Sequence, residues 1–242
     1  MLGTGGAVVN KKTWLNSRDP LRLIDYHAHK GCRRKLRLLA IAFARSVAGL
    51  VQPMHPRADL TGLLAAAERF ADEEIDRGAY RRAAAPIRSQ LPPLNPHCRR
   101  WVMPRSIYAQ YPWGAADVFV VLSYEAIELR WNGVAGTLVA IERDAIMSAE
   151  DVTRLSAYLC DLPRDIFGNP FRPVTFSPEW RSDTAVSLVR QMYDAREFSA
   201  MPILADALQD AGCDRDDILD HCRGPGPHVR GCWVCDLVMG KE

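Results

Sequence analysis

Residues 202–237 read PILADALQDAGCDRDDILDHCRGPGPHVRGCWVCDL, and this stretch decides the fold class. Ile203, Leu204, Ala207 and Leu208 recur at helical spacing behind Pro202, whose missing N–H costs nothing in a first turn, and Gly212 closes the run. Asp214, Asp216 and Asp217 stand where a second helix begins and favour its positive end. The Gly-Pro steps at 224–227 break that helix, and Pro227 can open a third, predicted over 227–239. On it His228, Cys232 and Cys235 fall at i, i+4 and i+7 as one stripe, beside a buried face of Trp233, Val234, Leu237 and Val238.

Helical signals continue outward. Ser148 with Asp151 three residues on resembles a capping box and opens a helix through Leu155 and Leu159. In DIFGNPFRPV, residues 165–174, the Gly168, Asn169, Pro170 and Pro173 positions predict an extended, turning path anchored by Ile166, Phe167, Phe171 and Val174. Asp183 is expected to cap a helix carrying Val186, Val189 and Tyr193. Nearer the start, Asp19-Pro20 signals a helix, residues 33–50 carry the apolar stripe Leu36, Leu39, Ala40, Phe43 and Val47, and Asp59 opens a helix that Gly78 is expected to stop. An alanine-rich helical piece follows over 79–90.

Pro92, Pro93, Pro96, Pro104 and Pro112 exclude a long helix or a central strand and indicate a linker. Residues 115–147 fit either two helices broken at Asn132-Gly133 or a short β-hairpin around 120–142. The expectation is a mainly α protein, an irregular array of about nine helices. It divides into a flexible tail (1–12), a helical region (13–90), a proline-rich linker with a variable segment (91–147) and a C-terminal helical module (148–242).

With 48% hydrophobic and 25% charged residues the composition is that of a globular chain, so disorder is not the default. A formal charge of +2 gives no overall field to attract nucleic acid or a membrane. The basic groups Arg33-Arg34-Lys35, Arg81-Arg82 and Arg99-Arg100 are scattered and read as solvated faces, though Arg33, Arg34, Lys35 and Arg37 open a helix at the unfavourable end of its dipole and could face an anion. The first residues lack a secretory leader, so a cytoplasmic location with reduced cysteines is expected, and seven cysteines cannot all pair.

The motifs DIFGNPFRPV (165–174), PILADALQDAGCDRDDILDHCRGPGPHVRGCW (202–233) and the closing DLVMGKE, with a looser match in the N-terminal half, resemble a family of proteins expanded in planctomycete bacteria. Cys235 stands where that family has an aliphatic residue. The resemblance implies a helical fold and implies no activity.

Three readings of chemistry follow from the residues. Asp25, His27 and His29 match the Asp-x-His-x-His string of metal-dependent hydrolase barrels, which needs a strand; on a helix the two histidines would point about 200° apart. His228, Cys232, Cys235 and Cys222 could together hold zinc, the one cofactor considered, or serve as packed thiols and a core histidine. Cys232 and Cys235 as a redox pair would have to open a helix, whereas the predicted helix places both past its first turn. No nucleophile elbow, phosphate loop or calcium loop occurs, so no catalytic set is assigned. The leading expectation is a non-catalytic interaction or scaffold module for a protein partner, with Arg172, Trp180, Arg230 and Trp233 as anchors.

Overall fold

The computed structural model describes residues 9–28, 32–91 and 147–241. Among the described residues stand ten α-helices and no strand: α1 (Lys11–Asn16), α2 (Pro20–Ala28), α3 (Arg33–Val51), α4 (Leu60–Ala71), α5 (Arg77–Arg88), α6 (Ala149–Phe167), α7 (Asp183–Ala195), α8 (Met201–Asp210), α9 (Asp216–Arg223) and α10 (Trp233–Met239). The protein is mainly α, as expected. The linker and the helix-or-hairpin alternatives over 92–146 lie outside the described residues.

Local chemistry sets most boundaries. The carboxylate of Asp59 accepts the Gly62 N–H at 2.8 Å, Asp76 accepts that of Ala79 at 2.7 Å, and the Ser148 hydroxyl accepts that of Asp151 at 3.1 Å, each satisfying a donor that a first turn leaves open. Asp76 explains why Gly78 is no stop: its cap starts α5 at Arg77 and places the glycine inside that helix. At α7 the cap is Ser182, one residue before the expected Asp183.

Two further expectations are corrected. Residues 165–167 belong to α6 rather than to a loop, because Leu159, Leu162 and Ile166 continue one buried stripe past Pro163. The helix ends only at Gly168, whose φ of +66° suits glycine and where a Cβ would stand 3.2 Å from Trp233 Cγ. Residues 227–232 are not helical. Gly231 takes φ +99° with room for no side chain, since a Cβ would lie 2.9 Å from Leu38 Cδ1 of α3; the close approach delays α10 to Trp233.

α3 is the central element. It buries Leu36, Leu38, Leu39, Phe43 and Val47 against α4 and α6, while α2 also packs on α6. By length and composition Arg33–Met54 is apolar enough to cross a membrane, and here much of that surface is covered by neighbouring helices. Leu159, Leu162 and Ile166 of α6 join this first core. A second core gathers Val189, Met192, Leu204, Leu208, Ile218 and Val234 from α7 to α10.

Buried ion pairs join the two cores. The Arg34 guanidinium, 13% exposed, donates to Asp72 Oδ1 at 2.7 Å and to Asp236 Oδ2 at 2.7 Å, whose side chains are 0% and 1% exposed. Tyr193 donates its hydroxyl to Asp236 Oδ1 and accepts the Gly231 N–H at 2.8 Å. Arg230 donates to Asp72 Oδ2 at 2.7 Å. Arg34 at the start of α3 thus faces anions, and they are the protein's own carboxylates, which offset the unfavourable dipole end. Glu68, likewise buried, ties α4 to the C-terminal end of α7 through Arg196 at 2.5 Å and also binds Arg45 at 2.6 Å.

Candidate metal centre

The last turn of α6, the last turn of α9 and the loop before α10 bring Asp165, His221, His228 and Cys232 together. One ligand atom from each lies within 4.8 Å of every other. His221 Nε2 is 3.2 Å from Cys232 Sγ and 3.2 Å from Asp165 Oδ1, and His228 Nδ1 is 3.1 Å from the same Oδ1. A tetrahedral zinc with bonds of about 2.0 to 2.3 Å separates its ligands by about 3.3 to 3.6 Å, so these three spacings are close to three of the six edges of such a site, and the others lie within 4.8 Å. The side chains of Cys232, Asp165 and His228 are deeply buried, and that of His221 is 19% exposed.

Surrounding groups orient the donors. Asp165 Oδ2 accepts the Val229 N–H at 3.0 Å, leaving Oδ1 toward the imidazoles. His228 Nε2 stands 3.4 Å from the Gly224 carbonyl, so its Nδ1 is turned to the group, the arrangement that fixes a ligating imidazole. Cys232 is the residue preceding α10, and its thiol neighbours Cys235.

The electrostatics keep the imidazoles and the thiol protonated at neutral pH, so a cation must displace protons to bind here. Burial raises the carboxyl of Asp165, yet hydrogen bonds from the two imidazoles outweigh it and hold the group below its ordinary value, hence ionised. Burial lowers the imidazoles, and Cys232 with Asp165 more than reverses this, lifting His221 to about 9 and His228 to about 10. Burial pushes the Cys232 thiol well up. A divalent ion would take the place of these protons, so its binding strengthens as pH rises.

A cysteine–histidine–aspartate relay would need His221 to meet sulfur with one nitrogen and carboxylate with the other. Both contacts fall on Nε2. One nitrogen therefore faces both the carboxylate and the sulfur, as a shared ion or a forked N–H hydrogen bond would place them.

Of the four residues read from the sequence as zinc ligands, His228 and Cys232 are in the group. Cys222 and Cys235 are buried in the second core outside it, with Cys235 Sγ 3.6 Å from Met201 Sδ. The expected stripe of His228, Cys232 and Cys235 is absent because 228 and 232 precede the helix. Asp165 and His221 take the remaining places. Asp165 was hidden by the loop reading of 165–167, while the spacing of His221, His228 and Cys232 around the GPGP turn was a usable signal.

The redox reading is altered as well. Cys232 and Cys235 do open a helix, contrary to expectation, but both are fully buried, and burial raises the Cys232 thiol where a reactive pair needs it lowered. His27 lies on α2, stacked on Phe167 with ring centroids 3.9 Å apart, in a helix rather than the strand a hydrolase barrel requires. The Asp25 side chain and His29 lie outside the described residues.

Among the interaction anchors, Arg172 is 62% exposed and pairs with Asp217 at 3.4 Å. Trp180 packs edge-on against Phe176, and Trp233 is half-buried between Gly168 and His221. Arg230 is no surface anchor: its side chain is 9% exposed and committed to Asp72 and Glu74.

The fold and the site define a mainly α protein with an Asp/His/His/Cys group able to hold a metal ion. Compared with models of known families, with curated proteins and with solved structures, the chain matches none.

Proposed function

We propose that the chain is a zinc-supported, non-catalytic helical scaffold in which Asp165, His221, His228 and Cys232 hold one zinc ion. The observation that carries this reading is the convergence of Asp165 Oδ1 and Cys232 Sγ on a single nitrogen, Nε2 of His221. Zinc is favoured over calcium or magnesium because sulfur and imidazole outnumber oxygen. Four protein donors close a tetrahedral shell, as in structural sites, whereas a catalytic zinc keeps a position for water. The four also fall within two of the stretches that carry the resemblance.

The ion's task is to fasten α6, part of the first core, to α9 and α10 of the second. Metal analysis of the purified full-length chain tests this. One zinc per chain is expected, lost in Cys232→Ser and His228→Ala. At 1,000-fold excess over Kd, zinc contributes about 4 kcal/mol, or about 8 to 16 °C in melting temperature for a chain of this size, and chelation should remove that increment. A chain that is folded, metal-free and indifferent to added zinc contradicts the reading.

A further inference from the structure

A cleft of about 470 Å³ borders the metal group, within the range of small-molecule sites. Its walls combine the start of α3, the end of α6, the loop after it, and faces of α9 and α10. Three cations line it, Lys35, Arg164 and Arg172, against one carboxylate, Asp217.

The cations are unequally committed. Lys35 donates to the Ile166 carbonyl at 3.0 Å and faces Asp236 at 3.8 Å, and Arg164 is occupied by Asp161 and by the carbonyls of Trp14 and Ser17. Asp217, however, is shared by Arg215 at 2.8 Å and Arg172 at 3.4 Å, two guanidinium groups on one carboxylate. Arg172 is the more loosely held of the two, an exposed side chain whose fork suits a carboxylate. The apolar part of the lining includes Trp233 and Leu15, and Leu15 is 50% exposed.

His221 links cleft and metal group. Its Nε2 is turned to Asp165 and Cys232, and among the described residues its Nδ1 has no hydrogen-bond partner. A metal-bound imidazole ordinarily donates its second N–H to a carboxylate, a carbonyl or water. An anion in the cleft would supply that acceptor.

We propose that this cleft binds a small monocarboxylic acid with a flat apolar body, its carboxylate received by Arg172, Lys35 and the Nδ1–H of His221 and its body lying on Trp233 and Leu15. The part played by His221 rests on the zinc reading; the charge and the apolar wall do not.

Phenylacetate is a suitable probe, with uncharged phenylacetamide as its control, titrated into the ¹⁵N-labelled full chain while the Trp233 indole N–H signal is followed. Saturable binding of phenylacetate with a shift of that signal is expected. The amide should bind about tenfold more weakly, having lost the charge-assisted bonds. Arg172→Ala, at an exposed position that leaves folding intact, should weaken phenylacetate about fivefold.

Equal binding of acid and amide, an unshifted Trp233 signal, or an Arg172→Ala affinity equal to that of the parent overturns the proposal. Zinc content measured on the same samples separates the two claims. Stoichiometric zinc without phenylacetate binding sinks the cleft alone. Arg172-dependent binding to a folded chain that takes up no zinc sinks the metal reading and leaves the cleft.

Discussion

Replacing Arg34 by methionine keeps the apolar stem and removes the one guanidinium that Asp72 and Asp236 share. Among the described residues Asp72 retains Arg230 at 2.6 Å and Lys241 at 3.5 Å, but Asp236 keeps only the Tyr193 hydroxyl and the more distant Lys35 ammonium at 3.8 Å. Both carboxylates stay out of water. Breaking one partner from a buried pair costs about 3 to 5 kcal/mol because the remaining charge is uncompensated, and the retained partners place this case near about 3 kcal/mol. The melting temperature should fall by about 6 to 12 °C. Urea unfolding followed by far-ultraviolet circular dichroism gives the free energy directly, with Arg69→Met as a control. Arg69 is 55% exposed and 3.7 Å from Glu74, and its loss should cost under about 1 kcal/mol. If Arg34→Met and Arg69→Met cost the same, the buried network does not join the two cores.

Acid should weaken the same joint. Burial raises the Asp72 carboxyl, but Arg34, Arg230 and Lys241 overcome it and hold the group below its ordinary 3.8. A carboxyl depressed in the folded state contributes stability that is complete above its unfolded value and lost as pH falls through its folded one. Unfolding free energies measured in urea should therefore decline below about pH 4, less steeply in Asp72→Asn; equal slopes would count against it. Gly231→Ala places a Cβ at positive φ and 2.9 Å from Leu38, so a loss of about 2 kcal/mol is expected from strain and displacement of the loop. A neutral result in the same urea assay would mean that the loop does not sit against α3.

Much of the fold could be read from local signals. Asp59, Ser148 and Pro20 mark helix starts within a residue, and the stripe from Leu36 to Val47 finds the central helix, because caps and periodicity act over a few positions. The missed features depend on distant chain. Nothing near Arg34 announces that its partners are Asp72 and Asp236, and nothing near Gly231 announces Leu38. The Gly168, Asn169, Pro170 and Pro173 turn signals concealed the final turn of α6, and with it Asp165. The candidate site was therefore half legible: His228 and Cys232 stand in an evident turn-rich motif, whereas His221 and Asp165 join them only once α9 and α6 pack beside the GPGP loop.

X-ray absorption at the zinc edge of the full-length chain, loaded with one equivalent of zinc, tests the central claim most directly. The account predicts a four-coordinate ion with one sulfur at about 2.3 Å and three nitrogen or oxygen neighbours at about 2.0 to 2.2 Å. Two or more sulfurs would bring Cys222 or Cys235 into the shell and contradict the ligand set proposed for Asp165, His221, His228 and Cys232, and a six-coordinate shell of oxygen alone would contradict the site altogether.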